Sequence, residues 1–340
     1  MLSKTTSFLR ILLAAAILAG VTSVIILLLA DQPVQAMANF FFGPLKNSFY
    51  FGNFLNTAAA CTLTGLAASI AFQAGAFNLG GEGQTYTGGL VFAIIVPLLP
   101  VWIGPFGLLT GLAIGMIASA LIAAISWLLR RLWNIEELIS TFLISGALVI
   151  FLDYLIAVPL RSPEGHTLST PPVPDAFTLP NLLPPSELHI GAFFSIIIAV
   201  ALFILLYATY WGYELRITGN NPEFALYGGI PIDKYSFIAL AASGGIHGIA
   251  GVLEVAGTHG AAIQGYSAGL GWTGLAVALI ASNHPLKVIP AALFISYLQT
   301  AASYAGVFSN LSSEINAIIQ GTIFLLITAK IVTSGKERTA

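Results

Sequence analysis

Residues able to handle a polar solute are densest at Gly75-Ala76-Phe77-Asn78-Leu79-Gly80-Gly81-Glu82-Gly83-Gln84, where one acid and two amides stand among four glycines. Glycine breaks helix and frees backbone hydrogen-bonding groups. Between apolar helices, such a break survives at membrane depth only where protein or a watery cavity lines it. An acid at mid-bilayer costs about 2.5–3.5 kcal/mol on insertion scales, so it turns toward a bundle interior or a pathway. Glu82, with Asn78 and Gln84, is therefore read as lining a pathway; the plainer alternative is a cytoplasmic turn between two spans. A second region echoes the first: Gly244-Gly245-Ile246-His247-Gly248, then Glu254, His259 and Gly269-Leu270-Gly271-Trp272-Thr273-Gly274. Glycine-interrupted regions in both halves, approached from opposite sides, are what an inverted repeat produces.

Other residue patterns carry less. His247 reads as a satisfied polar residue within a bundle rather than a proton relay. Asp153, beside Tyr154, is expected at a membrane interface, and Ser140 and Thr141 could simply bond to carbonyls of their own helix. Gly269 to Gly274 matches G-x-G-x-x-G, but a dinucleotide site needs a preceding strand and a soluble helix, and here the motif opens a membrane helix. The sequence holds no G-x-x-x-x-G-K-[ST], no H-E-x-x-H and no paired-cysteine motif. No catalytic residues, metal ligands or cofactors are expected. Cys61 is the single cysteine and lies in an apolar stretch, where it reads as a small packed residue.

The elements that must position these residues follow from composition. Of 340 residues, 57% are apolar and 8% charged, and mean hydropathy is +0.91. A soluble domain carries about 25% charged residues, so a water-soluble enzyme is excluded, as is disorder. Net charge is −2, which leaves no basic face for nucleic acid. The chain reads as an all-α polytopic membrane protein, a single domain over 1–340 embedded in a lipid bilayer. Apolar stretches at 10–30, 54–75, 85–100, 105–129, 137–159, 190–212, 235–256, 269–282, 286–306 and 314–333 predict about ten helices, the third and eighth shorter than a full crossing. The first, with 20 uncharged residues, is long enough to span and reads as a retained helix rather than a cleaved signal.

Lys and Arg set the orientation. An internal N-terminus puts Lys4, Arg10, Arg130, Arg131, Arg216, Lys234, Lys287, Lys330, Lys336 and Arg338 on the cytoplasmic side. Only Lys46 and Arg161 then lie outside, and both termini are cytoplasmic. The external segment 161–189 holds seven prolines and should form an ordered or extended loop. The internal segment 213–234 predicts a short amphipathic helix, with Asn221 as its cap and Pro222 in its first turn. Gly107, Gly111, Gly115, Ser119 and Ala123 repeat every four residues, a small face that lets helices approach closely. Gly244 and Gly248 do the same later in the chain.

These residues resemble a known family. Phe77 to Gln84 is similar to the F-N-I-G-x-E-G-Q signature of membrane permeases in simple-sugar and nucleoside ABC importers, a group that resembles ribose and branched-chain amino acid permeases. Glu137-Leu138-Ile139-Ser140-Thr141 resembles their E-x-I-S-T element. Arg216 to Ala225 resembles R-A-x-G-x-N-P-x-A-A. Gly271 to Leu279 and Asn283-His284-Pro285 resemble G-x-x-G-I-A-V-A-L and N-H-P. Nucleoside members continue S-T with x-M-L-N, whereas Phe142-Leu143-Ile144-Ser145 follows here. The missing asparagine departs from the nucleoside pattern, and related permeases carry sugars or riboflavin. The resemblance implies a multi-pass subunit of the cell membrane with cytoplasmic ATPase subunits, a second permease subunit and an extracytoplasmic solute-binding protein. Ser140 and Thr141 join Asn78, Glu82 and Gln84 as candidate pathway residues. Arg216, Asn221, Pro222, Glu223, Phe224, Ala225 and Tyr227 become candidates for coupling to the ATPase. The rival reading is a secondary transporter coupled to protons through Glu82, Glu254 or His247.

Overall fold

The computed structural model describes residues 32–163 and 167–309, with Gly20, Ser23, Val24, Leu27 and Gly321 besides. The expected first and tenth spans, 10–30 and 314–333, lie outside the described residues apart from those single positions. Eleven helices follow in order: α1 Pro33–Phe42, α2 Ser48–Gln73, α3 Gly81–Ile95, α4 Pro105–Trp133, α5 Glu137–Ala157, α6 Gly191–Ala208, α7 Tyr210–Asn220, α8 Pro222–Tyr227, α9 Ile232–Leu253, α10 Leu270–Ile280 and α11 Pro285–Phe308. A π-helical turn, Glu254–His259, extends α9. The described residues form no strand, only isolated bridges at Ser169–Ile263 and Asn181–His189.

Six of these helices are long and apolar enough to cross a membrane: α2, α4, α5, α6, α9 with its π turn, and α11. Among the other two expected spans, α3 has 15 residues and α10 has 11. At 1.5 Å per residue they reach about 22 and 16 Å, short of the roughly 30 Å hydrocarbon core. Local chemistry sets several boundaries. Asn47 accepts from the Tyr50 amide at 2.9 Å to start α2, and Pro105 and Pro285 occupy the first turns of α4 and α11. Two features depart from the expected segmentation. The stretch 190–212 is divided, because Thr209 is extended and its hydroxyl caps the separate helix α7 through the Gly212 amide at 3.1 Å. Helix α1 was not expected; it packs on the end of α11, where Asn39 Nδ2 donates to Ser309 Oγ at 3.0 Å.

The core is built from one long helix of each half. α2 and α9 are mostly buried, whereas α4, α5 and α6 are mostly exposed and more apolar, as lipid-facing helices must be. Each central helix packs on the short helix of the other half. A β-carbon on Gly274 of α10 would lie 2.5 Å from Thr64 of α2, and one on Gly88 of α3 would lie 2.4 Å from the Gly248 carbonyl of α9. The two halves are thereby packed through each other's short helices. The small face of α4 lies against both: Gly111 against Phe92 and Val96, Gly115 against Gly88, and Ala123 against Gly244.

Arg130, Arg131, Lys234 and Lys287 gather at one end of the bundle, where Trp127 Nε1 donates to the Asp233 carbonyl at 3.1 Å and the Gln73 amide reaches the Asn283 carbonyl. Lys46 lies at the other end, over the Tyr304 ring. The proline-rich segment is ordered at that same end. The Thr170, Val173 and Leu179 amides donate to the carbonyls of Ala262, Gly260 and Ala256, and Phe177 is buried against Gly107. His189 is buried beside Gly257, and its Nδ1 accepts from the Gly191 amide at 3.1 Å.

Burial pushes the His189 imidazole down to about 4, so it is neutral near pH 7. Its ordinary value is higher, so below about pH 6.5 the opened loop takes a proton that the closed loop refuses. Loop stability is therefore complete above pH 6.5 and falls as pH drops toward 4. At pH 5 the closed loop should be weakened by about 2 kcal/mol relative to pH 7. Hydrogen exchange of residues 179–190, corrected for intrinsic pH dependence, should show that loss, and His189→Asn should remove it.

Candidate translocation pathway

Between α2 and α3 the chain runs as a link, residues 74–80, with Gly75 at φ +74°. Its free backbone groups are taken up by side chains. Leu79 donates to Thr141 Oγ1 at 3.0 Å, and Gly80 donates to Asn78 Oδ1 at 2.9 Å. Asn78 and Gln84 are both buried and bonded to each other: Asn78 Nδ2 donates to Gln84 Oε1 at 2.8 Å, and Gln84 Nε2 donates to Asn78 Oδ1 at 3.0 Å. The second Asn78 donor reaches Ser243 Oγ on α9 at 2.9 Å. Gly83 at the start of α3 donates to Ser145 Oγ at 2.8 Å. The amides, Thr141 and Ser145 therefore hold the interrupted backbone in shape, as polar groups must when no water is present. Ser140 is buried, and its hydroxyl donates to the Glu137 carbonyl at 3.3 Å.

Glu82 occupies the first turn of α3 and reaches across to the second half. Its Oε1 accepts from Ser267 Oγ at 2.5 Å and from the Gly269 amide at 2.9 Å, while Oε2 accepts from the Gly271 amide at 2.8 Å. Gly269 and Gly271 begin α10. One carboxylate thus lies at the N-terminal, partially positive ends of two half-helices, α3 and α10. The approach is backbone to backbone: a β-carbon on Gly271 would stand 2.1 Å from the Glu82 nitrogen. Next to it, Gly81 lies against His247. His247 is about fifteen residues on from Ile232, or roughly 22 Å along the 28 residues of α9 and its π turn, which places the junction near the middle of that span.

The loop before α10 has a second anchor. The Tyr86 hydroxyl bonds to Asp153 of α5, and the Gly265 amide donates to the Tyr86 oxygen at 2.7 Å and to Asp153 at 3.2 Å. Asp153, near the end of α5, ties α3, α5 and this loop together. No local pattern marks Asp153 or Ser267, because their partners lie more than sixty residues away in the chain. His247 is fully buried and its Nδ1 faces the Ser243 carbonyl at 3.0 Å. Glu254 and His259 are not brought to the junction. They lie at the π turn, where Glu254 shares a small cavity with Asn56 and His189. Among the described residues no group of three or more His, Cys, Asp or Glu side chains could hold a metal ion.

At the Arg- and Lys-bearing end, α7 and α8 form a hairpin-like element. Asn221 Oδ1 accepts from the Phe224 amide at 3.0 Å, and Pro222 occupies the first turn of α8. Ala225 is 0% exposed and faces the bundle, whereas Tyr227 is 91% exposed, with Phe224 and Leu226 also bare. Arg216 lies with its guanidinium 4.4 Å above the Tyr207 ring. The last turn of α7 meets the foot of the link directly: a β-carbon on Gly219 would lie 2.2 Å from the Gln73 carbonyl and 2.6 Å from the Gly75 nitrogen.

Residues 50–328 match the family described as branched-chain amino acid transport system / permease component. The chain belongs to this family. The permease is 32% identical over 319 residues to a probable riboflavin import permease protein of Treponema pallidum, covering 93% of this chain and 84% of that protein. It is 29% identical over 325 residues to a glucose ABC transporter permease of Haloferax volcanii, covering 92% and 84%. With a guanosine ABC transporter permease of Bacillus subtilis it shares 28% identity over 345 residues, covering 96% and 94%. It is a multi-pass membrane permease component, a transport subunit.

Proposed function

We propose that this permease is the membrane-spanning subunit of an ATP-driven importer for a small solute, a nucleoside or simple sugar, with a riboflavin-type ligand as the alternative. The relatives carry those solutes in their names. In this reading both termini and the Arg- and Lys-rich end face the cytoplasm. Two permease subunits, identical or sisters, enclose the route. Loop 161–189 meets the solute-binding protein outside, and ATPase subunits dock on α8 inside. Glu82 lines the route at the junction of α3 and α10, while Asn78, Gln84, Ser140 and Thr141 hold its wall.

The single observation that carries the ATP-driven reading is the contact of Gly219 with Gln73–Gly75. α8 exposes Phe224, Leu226 and Tyr227 as an apolar knob, and the helix before it bears directly on the link that leads into the first turn of α3, where Glu82 stands. A push on α8 reaches the junction through packed backbone, without a flexible side chain between. Asn221 and Pro222 make the lever short and rigid, Ala225 seats it, and Glu223 and Arg216 supply polar contacts around it. Proton coupling would give this element no role.

The test is ATPase association. Leu226→Asp and Tyr227→Asp should each weaken co-purification of the ATPase about thirtyfold, the weight of a hot-spot residue of about 2 kcal/mol. Docking of the solute-binding protein should be unchanged, since that surface lies across the membrane. If both variants keep the ATPase and transport at the normal rate, the coupling role of α8 is wrong.

A further inference from the structure

Between the π turn and α10 the chain is non-helical, and residues 260–269 carry most of the donors that hold Glu82. Backbone of this kind within a membrane bundle needs hydrogen-bond partners from the protein. Here they come from two sides. On one side is the proline-rich loop. The Thr170 amide donates to the Ala262 carbonyl at 3.0 Å, the Thr170 hydroxyl accepts from the Ala262 amide at 3.1 Å, and the Gln264 amide donates to the Leu168 carbonyl at 2.8 Å. Ser169 and Ile263 form an antiparallel bridge between these bonds. On the other side is α3. The Gly265 amide donates to the Tyr86 oxygen at 2.7 Å, the Tyr266 hydroxyl donates to the Thr85 carbonyl at 3.0 Å, and Ser267 and Gly269 donate to Glu82.

The two sets of bonds leave little slack between them. Gln264, held by the loop, is followed directly by Gly265, held by Tyr86, and Ser267 lies three residues on. Three residues reach about 10 Å even when fully extended. Thr170 is 2% exposed and Ala262 is 0% exposed, and Tyr266 and Ser267 are buried as well. Water cannot replace a bond broken here, and a buried amide left without its acceptor bears its full desolvation cost. A displacement of the loop is therefore passed along the segment rather than absorbed by it. The loop is braced in turn: the Ser162 amide donates to the Ser169 carbonyl at 2.8 Å, and Ser162 follows α5, whose Asp153 accepts from Gly265. Leu168, Pro171 and Pro172, on either side of the buried Thr170, are exposed.

Resting on the importer reading above, which puts this loop outside the membrane, we infer that residues 262–269 are a rigid strut joining the docking loop to Glu82, with Thr170 as a positioning residue for the junction. A binding protein pressing on Leu168, Pro171 and Pro172 shifts Ala262 and Gln264, and with them the donors that hold the carboxylate. The helix pair α7–α8 reaches the same carboxylate through the link from the opposite end. The junction of α3 and α10 is then the place where the outer and inner surfaces of the permease act on each other. Such coupling is reciprocal: loosening the loop must loosen the Glu82 donors, and weakening Glu82 must loosen the loop.

The first measurement is hydrogen exchange on the full-length permease in detergent. Thr170→Val keeps the side-chain shape without the hydroxyl, and should speed exchange at the Gly269 and Gly271 amides, well beyond the bond removed, about threefold. Thr170→Ser should hold them near the wild-type rate. In the reverse direction, Glu82→Gln should speed exchange at the Thr170 and Val173 amides about threefold. Unchanged loop amides in Glu82→Gln would overturn the inference, even where Thr170→Val fails to accumulate. The second measurement uses the whole complex in proteoliposomes and reads the ratio of ATP hydrolysis with and without binding protein, supplied with riboflavin, guanosine or glucose in turn. Thr170→Val should cut that ratio about fivefold, the effect of one neutral hydrogen bond, and Thr170→Ser should return it. A ratio indifferent to Thr170→Val would also overturn the inference. A wild-type complex whose hydrolysis ignores the binding protein with all three solutes would overturn the importer reading, and the docking role of the strut with it. The exchange measurement is read on the permease alone, so the two failures are told apart.

Discussion

Glu82→Ala is expected to lower solute transport by about a hundredfold in a complex that remains assembled. The carboxylate accepts one hydroxyl and two backbone amides from the segment that opens α10. Hydrogen bonds to a charged group contribute about 1.5–3 kcal/mol each, and a donor left unpaired away from water costs about 1–3 kcal/mol. Alanine removes all three bonds and leaves the Gly269 and Gly271 amides without their acceptor, so α10 loses its registration against α3. Even 2.7 kcal/mol of that, expressed at the transport step, is about a hundredfold at 1.36 kcal/mol per factor of ten. Glu82→Gln keeps one acceptor oxygen and should lie between, about tenfold down. The six long spans do not depend on this contact, so the purified complex should elute intact. Uptake by the alanine variant at the normal rate would remove Glu82 from the pathway.

Gly251→Ala should do the reverse, damaging the fold before the transport step is reached. In an isolated helix alanine is favoured over glycine by about 1 kcal/mol. Here the new methyl would stand 1.9 Å from the Thr85 carbonyl oxygen and 3.0 Å from the Gly89 nitrogen. These are backbone atoms of α3, and the Thr85 carbonyl also accepts from the Tyr266 hydroxyl at 3.0 Å. Neither can move without shifting α3 away from α9. Overpacking a core commonly costs 1–3 kcal/mol and more against backbone, so the steric effect outweighs the propensity gain. Detergent-solubilised Gly251→Ala should lose several degrees of thermal midpoint or fail to accumulate. Gly146→Ala is the control: nothing lies within 4 Å of that position, so its midpoint should hold or rise slightly.

Much of this architecture was legible because the bilayer imposes it locally. Apolar length marked eight of the described helices, including the short α3 and α10, since a span needs a set number of apolar residues whatever it touches. Asn221 was legible as a cap because capping is settled within three residues. The four-residue repeat from Gly107 to Ala123 was legible as a packing face because helical period alone aligns it. Boundaries that depend on a single extended residue were not legible, and Thr209 divided a stretch that hydropathy reads as continuous.

The candidate site was legible by residue type and only partly by role. Asn78, Glu82, Gln84 and Thr141 do come together, but the amides are buried and bonded to each other and to Ser243 of α9, while Glu82 holds the segment that opens α10. Ala225 reads from the motif like its exposed neighbours, yet its side of α8 is the one that faces the bundle.

By itself the sequence determined the class of protein, the approximate places of its apolar helices within the described residues, the glycine-interrupted segments and the short capped helix α8. Those follow from hydropathy, helical period and capping, which act over a few residues. Tertiary structure alone decided the partners of Glu82 at positions 267, 269 and 271, the Tyr86–Asp153–Gly265 anchor and the contact of Gly219 with the link. Each joins residues far apart in the chain or on separate helices. Such pairs are selected by which helix faces fit at close range, and small-residue surfaces allow many fits until all the helices are in place together.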